Sequence, residues 1–561
     1  MIMKKILFHI LVLFLSISCN TKNKYELIIR NGLICDGTGS QSYNGDLAIN
    51  GDTIAAMGNL KKARGMTEID AGGKAVAPGF INMLSWADKS LIEDGRSQSD
   101  IRQGITLEVM GEGWSDGPLN DAMKKEAIDK QGDIKYDITW QTLGGYLNFL
   151  EKKGVSANIA SFVGATTLRI YAIGYENRPP TPDEMTTMKK LAAQAMEEGA
   201  IGMSTALIYA PASYSNTDEL IELCKEISRF NGMYISHLRS EGDNLLGSID
   251  ELINISKEAH IKAEIYHLKA AGTKNWEKMD LAISKIDSAR MAGLDITANM
   301  YNYTAAGTGL YATMPQWVQE GGQDAWLARL KDPVIRARVI KEMKTPGKNW
   351  ENFFYMVGSP ENIILGVFNT DSLKYLTGKN LAEAAQLKKL SPAETIIYLV
   401  INDNSPVGSI FFLMTEDNIK KQIALPWVSF GSDEQSLAPE GVFLKSNPHP
   451  RAYGNFSRLL GKYTRDEKVI SLEEAIRRLT SLPAANMKLK KRGLLKPGYY
   501  ADVVVFDPKT INDHATFNKP HQYSTGVSDV FVNGQQVLKE GQHTGAIPGR
   551  VVRGPGYKAG N

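Results

Sequence analysis

The stretch that decides the fold is MYISHLRSEGDNLLGSIDELINISKEAHIKAEIYHLKAAG, residues 233–272. An apolar run ends in His237, a helical pattern from Ser248 to Glu258 follows, and a second apolar run ends in His267. Strand, helix and strand in one short unit predict a parallel pair with a crossover helix. The histidines are one such unit apart, so they fall on adjacent strand ends that face the same way.

The same alternation extends outward in both directions. GFINMLS, ITLEVMG, ANIASFVG and IGMSTAL precede the unit, and LDITANMY and WVSFGSD follow it. Helical segments lie between them, at Asp218–Arg229 and Trp276–Met291 and after Thr181-Pro182-Asp183-Glu184, where a cap residue, proline and first-turn acids mark a start. About eight strands in this order predict an α/β fold of the (β/α)8 TIM-like barrel type.

Short strands fill both ends of the chain. YELIIRNGLICDG and GDLAINGDTIAAMG, with a turn at Asn50-Gly51-Asp52, stand at the start; YADVVVFDP and DVFVNGQQVLKEG, with a turn at Asn533-Gly534, stand at the end. The two ends are expected to meet in a small β-sandwich. The division read from the sequence is 24–78 and 489–561 for the sandwich and 79–488 for the barrel, with an insertion at about 304–425 too long for one crossover.

Charge excludes several classes of partner. Among 561 residues, 64 are basic and 62 acidic, so nothing suits nucleic acid and no basic tract suits a membrane surface. Residues 1–19 read as an export signal. Lys4 and Lys5 precede an apolar run from Ile6 to Leu15, and Ser16-Ile17-Ser18-Cys19 resembles a lipoprotein box. Cys19 is the expected lipidation site, which makes the protein an exported bacterial one, on the periplasmic face, touching a membrane only through that anchor. Cys35 and Cys224 then remain, in apolar surroundings, too few for a disulfide framework.

Catalytic groups in a barrel gather at the C-terminal strand ends. His237 and His267 can share one metal ion there. Glu112, in LEVMGEGWSDG, can supply an anionic third ligand, ahead of Glu108 earlier in the same run. Asp433, ending LPWVSFGSDEQS, is placed to take a proton from an attacking water. In NPHPRAYG, soon after, Arg451 rather than His449 is the expected holder of a substrate carboxylate, with Lys269 as a second cation.

These segments resemble a known family. KAVAPGFI and RGLLKPGYYADVVVFDP are similar to the flanking signatures of the amidohydrolase superfamily. SHLRSEGDNLLGSIDE, YHLKAAGTKNW, ANMYNYTAAGTGL, GSDEQS, HPRAYGNFSRLLGKY and the stretch from DHATFNKP to GAIPGR resemble the N-acyl-D-amino-acid deacylase (D-aminoacylase) family. The resemblance runs through nearly all of the chain after the signal. It implies a zinc-dependent hydrolase of N-acyl-D-amino acids, with His237 and His267 on the tightly held zinc and Asp433 as acid/base. Arg451, Lys269 and Tyr301 become contacts to the carboxylate of a small-molecule substrate.

The chain departs from that pattern at three places. Leu84 and Trp86 stand where the family has a His-X-His pair, so its second, weaker metal position is expected to be empty and one zinc ion per chain is implied. The second-strand cysteine is missing from GEGWS, with Glu112 the nearest replacement, and a pocket serine is Gly307. Trp86 is then expected to form an apolar wall for the acyl chain. Two other readings follow from the departures: an inactive lipoprotein that binds a ligand in the old barrel mouth, and a hydrolase of another amide, cyclic amide or ester.

Overall fold

A computed structural model of the chain describes residues 24–559; the signal segment and Cys19 lie outside the described residues. Its centre is parallel β-structure that follows chain order. Phe80–Asn82, Ile105–Met110 and Asn158–Ser161 form a three-stranded sheet. Val163–Gly164, Gly202–Ala206, Met233–His237, Ala263–Ile265, Ile296–Met300 and Val428–Phe430 form a six-stranded one.

Backbone hydrogen bonds join the two sheets at both edges. At one, Phe162, between the third strand and its continuation, donates to Met110 (2.9 Å), and Ile201 donates to Ser161 (3.0 Å). At the other, Met83 donates to Phe430 (3.2 Å) and Asp433 donates to Leu84 (2.8 Å). Asn82 reinforces this second seam: its Oδ1 accepts from the Ser432 amide at 2.8 Å, and its Nδ2 donates to Ser432 Oγ at 2.8 Å and Asp100 Oδ1 at 3.1 Å.

Strand alternation explains the two cores. Ile81, Leu107, Val109, Phe162, Met233, Ile235 and Tyr266 pack together from both parallel sheets. Met110, Ile159, Met203 and Ile265 instead pack among the covering helices. All six residues of Ile105–Met110 are buried, as a parallel strand covered on both faces requires. The covering helices begin where caps place them. Thr181 and Glu184 form a reciprocal capping box ahead of Pro182–Glu198, and Asn216 caps Thr217–Ser228. The helix expected from Ser248 begins a turn earlier, Leu245–Glu258, and the one expected from Trp276 is Lys278–Met291.

The terminal segments share one sheet. Val503–Phe506 pairs antiparallel with Ala75–Pro78, which pairs parallel with Lys24–Ile34. Thr53 bridges to Tyr500 at the far side, so the sheet curls around a core that includes Ile29, Leu47, Ile49, Val76, Val503 and Phe531. Both sequence-predicted turns are hairpins, and Asn533 (φ 48°) and Gly534 (φ 80°) both adopt the left-handed backbone that a two-residue type I′ turn demands. Residues between Met300 and Val428 build a separate apolar cluster, with the antiparallel strands Ala305–Gly309, Gly408–Phe412 and Ile363–Val367 over one side of the strand ends.

Asn82→Ala leaves Asp100 Oδ1 and the Ser432 amide without their buried partner, at about 1–3 kcal/mol for each group. Urea unfolding is expected to show a loss of about 2–4 kcal/mol; a change below about 0.5 kcal/mol, ordinary for a neutral surface site, would show that the seam does not depend on this side chain.

Candidate metal centre

Except for Glu108, every sequence-predicted site residue that the structure describes lies at one end of the parallel strands. His237 is the last residue of its strand, while Glu112 and His267 each lie two residues beyond theirs. The donor atoms of Glu112, His237 and His267 all fall within 4.8 Å of one another, and all three residues are buried. Glu112 Oε1 is the hub, 3.1 Å from His237 Nδ1 and 2.8 Å from His267 Nε2. Gly111 and Gly113 let the backbone reach this point. Both have positive φ, and a Cβ on Gly113 would come 2.6 Å from the Ala206 side chain.

Two of the site residues sit in left-handed backbone that a non-glycine residue adopts at a cost of about 1–3 kcal/mol, as functional sites often do. These are His267 (φ 33°) and Asp433 (φ 52°). The Asn299 side chain holds the His267 amide at 2.8 Å, and Leu84 O holds that of Asp433.

Around this hub the charges interlock. Glu241, in the loop four residues after His237, lies 3.0 Å from His267 Nδ1 and 3.7 Å from His237 Nε2, and accepts from Lys269 Nζ at 2.5 Å. Burial alone would raise the Glu112 and Glu241 carboxyls. The imidazoles outweigh it for Glu112, and His237, Lys269 and His267 outweigh it for Glu241, so both are held well below the usual carboxylate range. Burial and Lys269 push the His267 imidazole down, but Glu241 and Glu112 prevail and hold it up, at about 9. The Glu112 and Glu241 carboxylates are thus locked against two imidazoles and Lys269 in one buried cluster.

Asp433 faces the hub from the last strand. Its Oδ2 pairs with Arg451 Nη1 at 2.8 Å. Its carboxyl is raised, mainly by burial, with Arg451 opposing and Glu112 adding to the shift. The indole N–H of Trp86 donates to Asp433 Oδ1 and to Glu112 Oε2, 3.1 Å each. This corrects the expectation of a purely apolar wall: the ring edge of Trp86 is a polar member of the site.

The Arg451 guanidinium lies over the Tyr301 ring, 4.2 Å from its centre, and Lys269 Nζ is 5.5 Å from the same centre. Arg451 Nε and the Tyr301 hydroxyl are buried without a hydrogen-bond partner. These two buried donors lack the acceptors that buried polar groups normally have. A Cβ on Gly307 would stand 3.0 Å from Arg451 Nη2, so glycine there keeps the guanidinium accessible. His449, set behind Arg451 in the sequence reading, positions it. Its Nδ1 accepts from the Arg451 amide at 3.1 Å while Nε2–H donates to Ala305 O at 3.0 Å, and burial and Arg451 hold the ring far below its ordinary pKa and neutral.

All of these groups open on one cavity of about 860 Å³, with Trp114, Tyr209 and Tyr311 along another wall. Glu108 is elsewhere, buried near Asp100, which together with desolvation pushes its carboxyl up. Sequence reasoning missed Glu241, although an acid four residues past a strand-end histidine was the available signal.

The amidohydrolase family profile matches residues 67–538. This chain belongs to the amidohydrolase family. Within the family, it is 32% identical to the D-aminoacylase of Alcaligenes xylosoxydans xylosoxydans over 532 residues, 94% of this chain and 97% of that one. A solved D-aminoacylase with a binuclear metal centre, described as activated by one metal and attenuated by a second, superposes with a TM-score of 0.78 at 30% identity, covering 94% of this chain and all of that one. The N-acyl-D-glutamate deacylase of Bordetella bronchiseptica, solved with zinc and a phosphonate that mimics the tetrahedral intermediate, gives 0.78 at 28% identity over 95% of this chain and all of that one. The amidohydrolase fold of this chain, with its α/β sheets, is thus that of the D-aminoacylases, and the N-acyl-D-amino-acid deacylase branch is its place in the family.

If Glu112 is a ligand, Glu112→Ala lowers zinc affinity by more than the roughly 10–100-fold of an outer-shell partner. Competition with a chromophoric chelator measures this, and a loss of less than about 3-fold would remove Glu112 from the ligand set.

Proposed function

We propose that the protein hydrolyses the amide bond of N-acyl-D-amino acids, with one zinc ion per chain held by Glu112, His237 and His267. The single observation that carries this reading is the convergence of those three donors on one buried point, with the Asp433 carboxylate across Trp86 from it. Two imidazoles and a carboxylate suit a catalytic zinc site with three protein ligands and an open position. The two parallel sheets, bonded to each other at both seams, are read as one eight-stranded (β/α)8 barrel whose C-terminal mouth holds this site.

When bound, the ion supplies Lewis acidity that activates water and polarises the scissile carbonyl. The chain's own residues do the rest. The substrate carboxylate takes the unmet donors of Arg451 and Tyr301, and Lys269 adds positive charge from the neighbouring strand end. That seat orients the acyl bond toward Asp433. With its carboxyl raised by burial, Asp433 accepts a proton from the attacking water and returns it to the leaving amine. Besides holding Trp86 and Arg451, Asp433 is the proton-transfer group of this reading. Its position beside an anion seat and a metal donor set favours the hydrolase over an inactive ligand carrier.

We further infer, from Lys4, Lys5, the apolar run and Cys19, that the enzyme is exported and held at a membrane by a lipid on Cys19. Its substrates are then small acylated amino acids outside the cytoplasmic membrane.

Asp433→Asn keeps the size of the side chain, retains one of its two acceptor oxygens for Trp86 or Arg451, and removes its basicity. Turnover is expected to fall by about 10²–10⁴-fold, with zinc content unchanged. Steady-state kinetics beside elemental analysis checks both, and an unaltered kcat would remove Asp433 from the reaction.

A further inference from the structure

Glu112 and Asp433 follow the two strands that flank the Phe80–Asn82 segment, and one oxygen of each reaches the same hydrogen atom. Trp86 Nε1 lies 3.1 Å from Glu112 Oε2 and 3.1 Å from Asp433 Oδ1. The remaining oxygens are committed elsewhere, Glu112 Oε1 to His237 and His267 and Asp433 Oδ2 to Arg451. Two buried carboxylates that share a point in space need positive charge between them. In the similar D-aminoacylase a binuclear metal centre is described. Here the point is filled by an indole N–H, a group that donates and can never ligate.

We propose that Trp86 is a fixed substitute for a second metal ion, so that the centre accepts one ion and is indifferent to excess metal. This inference rests on the metal reading given above. Two observations support it beyond the shared hydrogen bond. The ring is held in place from the backbone, since the Trp86 amide donates to Glu434 O at 2.9 Å and Ser85 bridges to Glu434. Leu84, on the same short segment, is buried in the apolar core with Ile81 and Met83, and offers no ligand atom. A second ion would have to take the same lone pairs of Glu112 Oε2 and Asp433 Oδ1, displacing a ring edge that neighbouring packing keeps in place. As a positioning residue, Trp86 also sets the direction of both carboxylates: it leaves Glu112 Oε1 for the donor set and holds Asp433 toward the cavity.

The test is zinc stoichiometry of the full-length protein by equilibrium dialysis and elemental analysis, at a zinc concentration that saturates the first site and at about tenfold above it. The wild type is expected to hold about one ion per chain at both concentrations, with no loss of rate at the higher. Leu84→His/Trp86→His is expected to hold about two and to become inhibited by excess zinc. Two ions in the wild type, the second lost in Asp433→Asn, would overturn this inference alone. No ion in the wild type would overturn the metal reading and this inference with it. A well-folded double-histidine protein that stays at one ion would show that Trp86 is not what occupies the place.

Discussion

The centre depends on one buried carboxylate. Glu112 Oε1 stands 2.8 Å and 3.1 Å from imidazoles on two neighbouring strand ends. Left alone, an acid so placed would be costly to bury. The histidines hold it ionised, Trp86 takes its second oxygen, and Glu241 and Lys269 balance the histidines from behind. Removing one member of such a buried ionic set costs about 3–5 kcal/mol, because the others keep their charge without a partner. The neighbouring structure is arranged to bring these groups together: glycines at 111 and 113, the left-handed backbone of His267, and the seam that fixes Leu84 against Asp433.

Rigid elements and a strained mouth divide the work. Strands buried on both faces set the spacing of Glu112, His237, His267 and Asp433, and the apolar cluster of the insertion brings Gly307 against Arg451. In the proposed reaction the substrate carboxylate meets donors that are already in place and unmet. Arg451 cannot turn away from it, being stacked on Tyr301, paired with Asp433 and tethered through its amide to a neutral His449.

Much of this was legible in the sequence because strand-end positions follow from hydrophobic runs that stop abruptly. His237, His267, Glu112 and Asp433 each follow such a run, and the structure gathers them. The hairpins at Asn50-Gly51 and Asn533-Gly534 were legible for a similar reason, since few residues tolerate the backbone those turns need. What the sequence did not reveal depends on side-chain direction. Nothing in LSWADKS says that the Trp86 ring presents its N–H edge inward, so an apolar wall was the natural reading. Glu241 looked like a loop acid because its partners, Lys269 and His267, are distant in sequence. The division of the parallel strands at Phe162 and at the Met83–Phe430 seam was also hidden, because hydrogen-bond register at a join leaves no trace in composition.

The central claim is metal-dependent hydrolysis of N-acyl-D-amino acids at this centre. Its most direct test follows the amine released from N-acetyl-D-amino acids with acidic, neutral and basic side chains, with the L-enantiomers as controls. The protein is assayed as zinc-loaded, as chelated, and as chelated then resupplied. The account predicts release from at least one D-substrate, loss on chelation, recovery with zinc and little action on the L-form. A zinc-loaded, folded protein that releases no amine from any of them would contradict it.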